Sequence, residues 1–254
     1  MDIDKVCAFI PARGGSQGVK GKNWRMLGGL PLVNWTIEFA NSLNSIEKIF
    51  LSTDSSQIAE VSTNGALTPL DFLSLPENSL SQISEKMHLH KRCAAQAGTL
   101  SLISDVLYEF TLQNRIYEEY EYLLLLQPTS PFRSAIELGR LLELASQQSK
   151  WSSIVSVKDV GGMHPNRMYR IVSQWATPIL DQKLGDDRPR QSLERLYIKD
   201  GAYYLLRTEN LLNKTLLGNK ILSFERQGLW TVNIDTEEDF AFAEFAAQKL
   251  GFKK

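Results

Sequence analysis

Residues 6–25 read VCAFIPARGGSQGVKGKNWR. An apolar run, Val6 to Ile10, stops at Pro11 and passes at once into a glycine-rich basic loop. A buried strand that delivers such a loop is a place to hold a polyphosphate. Glycines let backbone N–H groups approach an anion closely, and basic side chains neutralise it. From Lys5 to Ile37 there is no Asp or Glu, while Lys5, Arg13, Lys20, Lys22 and Arg25 are all present. The local field is positive in a chain whose net charge is −1. The loop matches neither the Walker A pattern G-x-x-x-x-G-K-[ST] nor the dinucleotide pattern G-x-G-x-x-G. Any Gly/Lys segment also reads as a mobile surface loop. The strand before this one and the extent of its acid-free run favour the phosphate.

The elements downstream continue the same architecture. Pro31 opens an apolar-periodic stretch, PLVNWTIEFANSL, which predicts a helix. IEKIFLS (46–52) predicts a strand, and Asp54 or Ser55 caps a helix through Ile58, Ala59 and Val61. Strand, loop, helix, strand, helix is the start of a parallel α/β sheet. Residues 64–92 hold two prolines and no sustained period, so they read as loop with short elements. His88 and His90 flank Leu89, and alternation puts both on one face of a short strand; a solvated face is the expectation, ahead of a metal pair. LSLISDVLYEFTLQNR (100–115) predicts an amphipathic helix. EYLLLL (121–126) is apolar without alternation, as central parallel strands are, and it stops at Gln127-Pro128-Thr129-Ser130-Pro131-Phe132-Arg133. Ligands of open α/β sheets bind at the carboxyl ends of strands near the topological switch point, which is where both loops fall.

Ser134 caps the helix AIELGRLLELASQ. SSIVSVK (152–158), GAYYLLR (201–207), NKILSFERQ (219–227) and TVNID (231–235) predict further strands. The polar stretch 166–200 looks like an excursion from the sheet. Thr236 with Asp239 three residues on resembles a capping box for the last helix. Asp235 reads equally as that helix's cap or as a cation ligand.

Size and composition fit one large domain. Of 254 residues 43% are hydrophobic and 22% charged, the balance of an ordinary globular protein. A net charge of −1 argues against a dedicated nucleic-acid binder. Cys7 and Cys93 lie far apart with no metal-ligand spacing, which suits a reducing compartment. No apolar run reaches the ~18–20 residues that span a bilayer, and MDIDKVCAF lacks a signal-peptide core. The expectation is a cytoplasmic protein with no membrane partner.

With these residues in view, FIPARGGSQGVKGKN followed by LGGLPLVNWTI resembles the opening of the N-acylneuraminate cytidylyltransferases, the CMP-sialic acid synthetases. FLSTDSSQIAEV, LLLLQPTSPFR, PRQSLERLYIKDGAYYL and VNIDTEEDFAFAE follow in the family's order. Pseudaminic and legionaminic acid cytidylyltransferases share these blocks. The resemblance implies a single α/β domain over residues 1–254, a Rossmann-like nucleotidyltransferase with a mostly parallel sheet flanked by helices. It implies a protruding dimerisation element, placed here at 159–200, and a homodimer. It implies CTP, Mg²⁺ and a nonulosonic sugar acid that receives CMP at its anomeric hydroxyl with loss of pyrophosphate. Carried over by position, Arg13, Ser16, Lys22 and Asn23 hold the triphosphate, with Gly14, Gly15 and Gln17 of the same loop. Arg92 matches an arginine near the base, with Ser101 beside it. Gln127, Arg190 and Gln191 fall at the sugar acid, Arg190 gripping its carboxylate. Asp235 matches a metal-binding aspartate, with Asn233 as its neighbour. Arg13, Lys22 and Asp235 are the residues expected to carry the chemistry.

Three positions depart from the family's pattern. Gln17 stands where lysine is common, Asn233 where the family has an aspartate, and Asp200 where N-G-A is usual. Residues 66–90 are also longer than the family's connection. The departures motivate an alternative, a weak or inactive relative that binds nucleotide or sugar as a regulatory or assembly subunit. A nucleotidyltransferase for another sugar or base is the remaining reading.

Overall fold

The computed structural model describes residues 6–98, 100–180 and 189–251. Its strands are β1 (Val6–Pro11), β2 (Met26–Leu27), β3 (Leu30–Pro31), β4 (Ile46–Thr53), β5 (Leu80–Gln82) and β6 (Met87–Lys91). There follow β7 (Tyr122–Leu125), β8 (Ser153–Asp159), β9 (Tyr169–Val172), β10 (Trp175–Pro178), β11 (Tyr197–Arg207) and β12 (Ile221–Glu225). The helices are α1 (Leu32–Asn41), α2 (Ser56–Ser62), α3 (Pro69–Ser74), α4 (Ala94–Ala97) and α5 (Ile103–Gln113). The rest are α6 (Ile116–Glu119), α7 (Ala135–Gln147), α8 (Thr208–Leu212) and α9 (Glu237–Lys249).

One sheet runs β12-β8-β11-β7-β1-β4-β6-β5. Strands β1, β4, β6, β7, β8 and β12 run the same way; β5 and β11 run against them. The chain builds outward from β1 through β4 to β6, then returns to β7 on the other side of β1. The switch point therefore lies between β1 and β7, where two strand ends leave a crevice.

Strand β1 is apolar throughout because both of its faces are covered. Val6, Ala8 and Ile10 join one core with Val33 and Ile37 of α1, Ile58 of α2 and Leu138 and Leu141 of α7. Cys7 and Phe9 face the other way, onto Val106, Leu107 and Phe110 of α5. Burial pushes the Cys7 thiol far above its ordinary range, so it is an inert core group. A third cluster joins Phe240 and Ala243 of α9 to Val19, Leu27, Leu32, Phe132 and Ile234. It pins the glycine loop and the segment before α9 against each other.

Most predicted elements stand. Ser55 caps α2, Ser134 caps α7, and Thr236 with Asp239 forms a reciprocal capping box on α9. Pro31 lies one residue outside α1 rather than in its first turn. Two expectations fail. TVNID is not a strand: residues 232–235 run without regular structure, and the Ile234 N–H donates to the Thr129 carbonyl at 2.8 Å. The segment 64–92 is loop with short elements, as expected, and those elements are α3, β5 and the sheet strand β6. His88 and His90 do share a face, but it is not solvated. His88 lies against Phe50 and His90 against Phe110, with His90 only 1% exposed. The excursion leaves the sheet after β8 and carries the antiparallel hairpin β9–β10. No helix of the described residues is long and apolar enough to cross a membrane.

Candidate active site

A cleft of about 570 Å³ opens at the switch point, within the usual size of a small-molecule site. Arg13, Ser16, Gln17, Lys22 and Asn23 line it from the loop after β1. Gln127, Pro128 and Thr129 line it from the loop after β7, and Arg92 from the end of β6. Ser101 and the start of α5 close one side; Asn233 and Asp235 close the other. Five chain segments thus converge on one space.

The loop after β1 is shaped from both ends. The Gly14 N–H donates to Asp54 Oδ1 at 2.8 Å, so this amide is already engaged. Gly14 and Gly15 shape the loop but do not line the cleft. A short 3₁₀ turn, Lys22–Trp24, buries Lys22 and Asn23. Lys22 Nζ donates to the Ile234 carbonyl at 2.6 Å and lies 3.2 Å from Asp235 Oδ1. An ammonium has three donors, so one remains for a ligand. Asn23 Nδ2 donates to the Arg13 carbonyl at 2.9 Å. Its Oδ1 is buried without a partner among the described residues, an acceptor that a hydroxyl or water would satisfy.

Opposite the loop, Asn233 Nδ2 donates to Asp235 Oδ2 at 2.7 Å, and Ser130 Oγ lies 3.2 Å from Asn233 Oδ1. The Asp235 side chain is 67% exposed, with Lys22 on one carboxylate oxygen and the Asn233 amide on the other. Thr236 is the cap of α9, so Asp235 is not needed for that task. Among the described residues no group of three His, Cys, Asp or Glu side chains gathers to hold a metal. One carboxylate and one amide oxygen suit Mg²⁺ only where substrate phosphates complete the shell.

Arg92 is 6% exposed and sits close to Arg13. Burial, and Arg13 with it, lowers its pKa, while Asp54 opposes them. A buried cation beside another cation is a site short of negative charge, which an anionic ligand supplies.

Sequence reasoning missed the residues that position the far wall. Arg133 Nη2 donates to the Gln127 carbonyl at 2.7 Å, Nε to the Ala202 carbonyl at 2.9 Å, and Nη1 to Thr36 at 2.9 Å. Burial, aided by Arg226 nearby, brings its pKa down to about 10. Arg133 closes the QPTSPFR block, and the sequence pattern alone gives it no role. Gly201 has φ +81, and a Cβ there would lie 2.8 Å from Ser130 Oγ and 2.9 Å from Gln127 Oε1. Only glycine lets β11 turn so close beneath the Gln127 loop.

Asp200 is not a cleft residue. It is 1% exposed, and its carboxylate meets Arg226 Nη1 at 2.7 Å, the Ala202 N–H at 3.1 Å and Ser156 Oγ. Arg226 in turn binds Glu137 at 3.0 Å and the Phe132 carbonyl at 2.7 Å. This departure from the family's pattern is a buried structural ion pair. Asp200→Ala is expected to cost about 3–5 kcal/mol of unfolding free energy by stranding a buried guanidinium; a denaturant melt checks it.

Gln191 is exposed in the short turn Arg190–Ser192 of the excursion and does not line the cleft. The Arg190 side chain lies outside what the structure describes.

A cytidylyltransferase family model matches residues 7–87. The chain is 30% identical to the CMP-N,N'-diacetyllegionaminic acid synthase of Legionella pneumophila, over 94% of this chain and 95% of the relative. It is 29% identical to the N-acylneuraminate cytidylyltransferase of Escherichia coli O18:K1:H7, over 98% of this chain and 54% of that protein. For N-acylneuraminate cytidylyltransferase A of Danio rerio the identity is 27% and the shares are 97% and 52%. The chain therefore spans about half the length of these last two relatives. Among solved structures, CMP:2-keto-3-deoxy-manno-octonic acid synthetase complexed with CTP aligns with TM-score 0.61 at 16% identity. That alignment covers 97% of this chain and 99% of the other. At that identity the likeness speaks for the fold.

Proposed function

The chain belongs to the cytidylyltransferase family that includes the N-acylneuraminate cytidylyltransferases and CMP-N,N'-diacetyllegionaminic acid synthase, and we propose that it transfers CMP from CTP to the anomeric hydroxyl of a nonulosonic sugar acid. The convergence of Arg13, Lys22, Arg92, Gln127 and Asp235 on one cleft at the switch point carries this reading.

The sugar hydroxyl attacks the α-phosphorus, the bond to the β-phosphate oxygen breaks, and pyrophosphate leaves. Charge builds on phosphate oxygens, so catalysis is positioning and electrostatic stabilisation. Arg13 and the remaining Lys22 donor receive the pyrophosphate. Arg92 faces the base. Gln127, fixed through Arg133, meets the sugar acid. Arg190 and Gln191 would reach it only from the excursion. Asp235 with Asn233 would hold Mg²⁺, which neutralises phosphate charge when bound. No side chain is assigned as general base. The test is pyrophosphate release from CTP and Mg²⁺ across a panel of nonulosonic acids. Release with at least one is expected; none from folded protein rejects the reading.

A second reading keeps the binding but not the turnover. It is favoured by Asp235 itself, whose two oxygens are engaged by Lys22 and the Asn233 amide. CTP binding without turnover would support it, and Gln17→Lys with Asn233→Asp would then restore activity. Asp200 no longer argues for it.

The working form is a homodimer built on the β9–β10 hairpin of the excursion, in the cytoplasm; the ends expected at 159 and 200 belong to the sheet strands β8 and β11. On the hairpin Trp175 is 81% and Ile171 71% exposed, a cost that a second copy of the same face removes. Trp175→Glu with Ile171→Glu is expected to halve the mass measured by light scattering. An unchanged mass rejects this interface.

A further inference from the structure

Arg92 reaches the cleft from the end of β6, and its grip on Ser52 leads back to a buried histidine. Arg92 Nε donates to Ser52 Oγ at 3.2 Å, and Nη2 donates to the Ser52 carbonyl at 3.2 Å. Two bonds to one residue fix the guanidinium plane. Ser52 Oγ also lies 2.9 Å from His90 Nδ1. An arginine N–H can only donate, so Ser52 Oγ accepts from Arg92. With Arg92 donating to its oxygen, the hydroxyl is placed to donate to His90 Nδ1, and a relay of that kind requires a neutral ring with its proton on Nε2.

His90 is 1% exposed and packs edge-on to Phe110. Burial, with Arg92 beside it, lowers its pKa to about 4, in keeping with the neutral form. Its Nε2 is buried without a partner. An apolar side chain would fill this space without orphaning a polar atom. Packing alone therefore does not account for an imidazole here; the Nδ1 contact with Ser52 does.

We propose that His90 is a positioning residue for recognition of the nucleotide base, acting through Ser52 to aim Arg92 into the cleft. The proposal rests on the reading of the cleft as a CTP site. Arg92 Nη1 makes no hydrogen bond with a described residue, and the residue lines the cleft. A fixed N–H edge suits a pyrimidine with two adjacent acceptors, a carbonyl oxygen and an unprotonated ring nitrogen. Cytosine has that edge. Uracil carries a hydrogen on the ring nitrogen and clashes donor to donor. A guanidinium free to swing loses the distinction.

The test uses the full chain with three substitutions. His90→Phe keeps the ring and deletes the acceptor. His90→Asn puts an amide oxygen close to the Nδ1 position; His90→Gln puts its amide nearer Nε2. His90→Phe is expected to raise KM for CTP about tenfold, the scale of one charge-assisted hydrogen bond. That rise exceeds any fall in kcat and comes with a narrower preference for CTP over UTP. His90→Asn recovers most of both; His90→Gln does not. Unchanged KM and preference in His90→Phe overturn the proposal, as do equal losses in all three that track melting temperature. Nitrogen-15 NMR of the histidine rings gives a readout without nucleotide. An Nε2–H tautomer at His90 is expected, and an Nδ1–H tautomer overturns the relay. An enzyme that ignores CTP but shows the expected tautomer refutes the proposed function and not the relay.

Discussion

Gly18→Ala lowers kcat/KM for pyrophosphate release by at least about a hundredfold while the chain stays folded. The reason is space. A Cβ on Gly18 would stand 1.9 Å from the Asp235 carbonyl oxygen and 3.1 Å from its carbonyl carbon. Neither partner is a flexible side-chain end that can step aside; both belong to backbone. The glycine loop and the segment before α9 must separate by an ångström or more. They are joined from the other side by Lys22, whose ammonium bridges to the Ile234 carbonyl and Asp235. Prising them apart moves the phosphate-binding cation and the cation-binding carboxylate together. A misplacement of ~1 Å in a catalytic arrangement costs on the order of a hundredfold. Gly18 is not among the glycines with positive φ, so backbone strain has no part in the effect. Gly139→Ala in α7 is the control. Its Cβ meets nothing within 4 Å, and alanine there is expected to stabilise the helix by about 0.5–1 kcal/mol. Steady-state kinetics with a thermal melt on each protein measures both outcomes.

Lys22→Met lowers kcat/KM further, by about 10²–10³, the ~3–4 kcal/mol carried by one preorganised group at a developing charge. Lys22 is 9% exposed, so its charge acts with little screening by water. Methionine retains the length and apolar stem but leaves the pyrophosphate one cation short and Asp235 without its partner. Lys22→Arg is not expected to rescue. A planar fork cannot reproduce a point charge held at 2.6 Å from one carbonyl in the same pocket. The loss should fall on kcat as well as KM, because the charge matters most as pyrophosphate departs. A change in KM alone would mean that Lys22 binds substrate and transition state equally.

Some of this architecture is legible from the residues and some is not, for separable reasons. The apolar runs of β1 and β7 announce central strands because both faces of each are covered. The glycine loop and QPTSPFR announce the switch point because they interrupt those runs. Strand β6 is legible only as a short alternating piece with a solvated face, because its sequence, MHLHK, is polar at every second position. Those polar side chains are buried by Phe50 and Phe110, which lie far away in the chain. TVNID has a strand's pattern but no strand to pair with; its backbone is held by the Thr129 carbonyl instead. Asp200 reads as a possible defect in the site until Arg226, which follows it by 26 positions, is seen to hold it. Position-by-position resemblance located most of the cleft. It could not show that Gly14 spends its N–H on Asp54, or that Arg133 anchors Gln127.

Titration of CTP onto the full chain with Mg²⁺, followed by calorimetry, asks whether the cleft between β1 and β7 is the triphosphate site. One CTP should bind per chain, and both Lys22→Met and Gly18→Ala should abolish or greatly weaken that binding with the fold intact. CTP binding that survives both substitutions at wild-type affinity would place the nucleotide elsewhere and contradict the account.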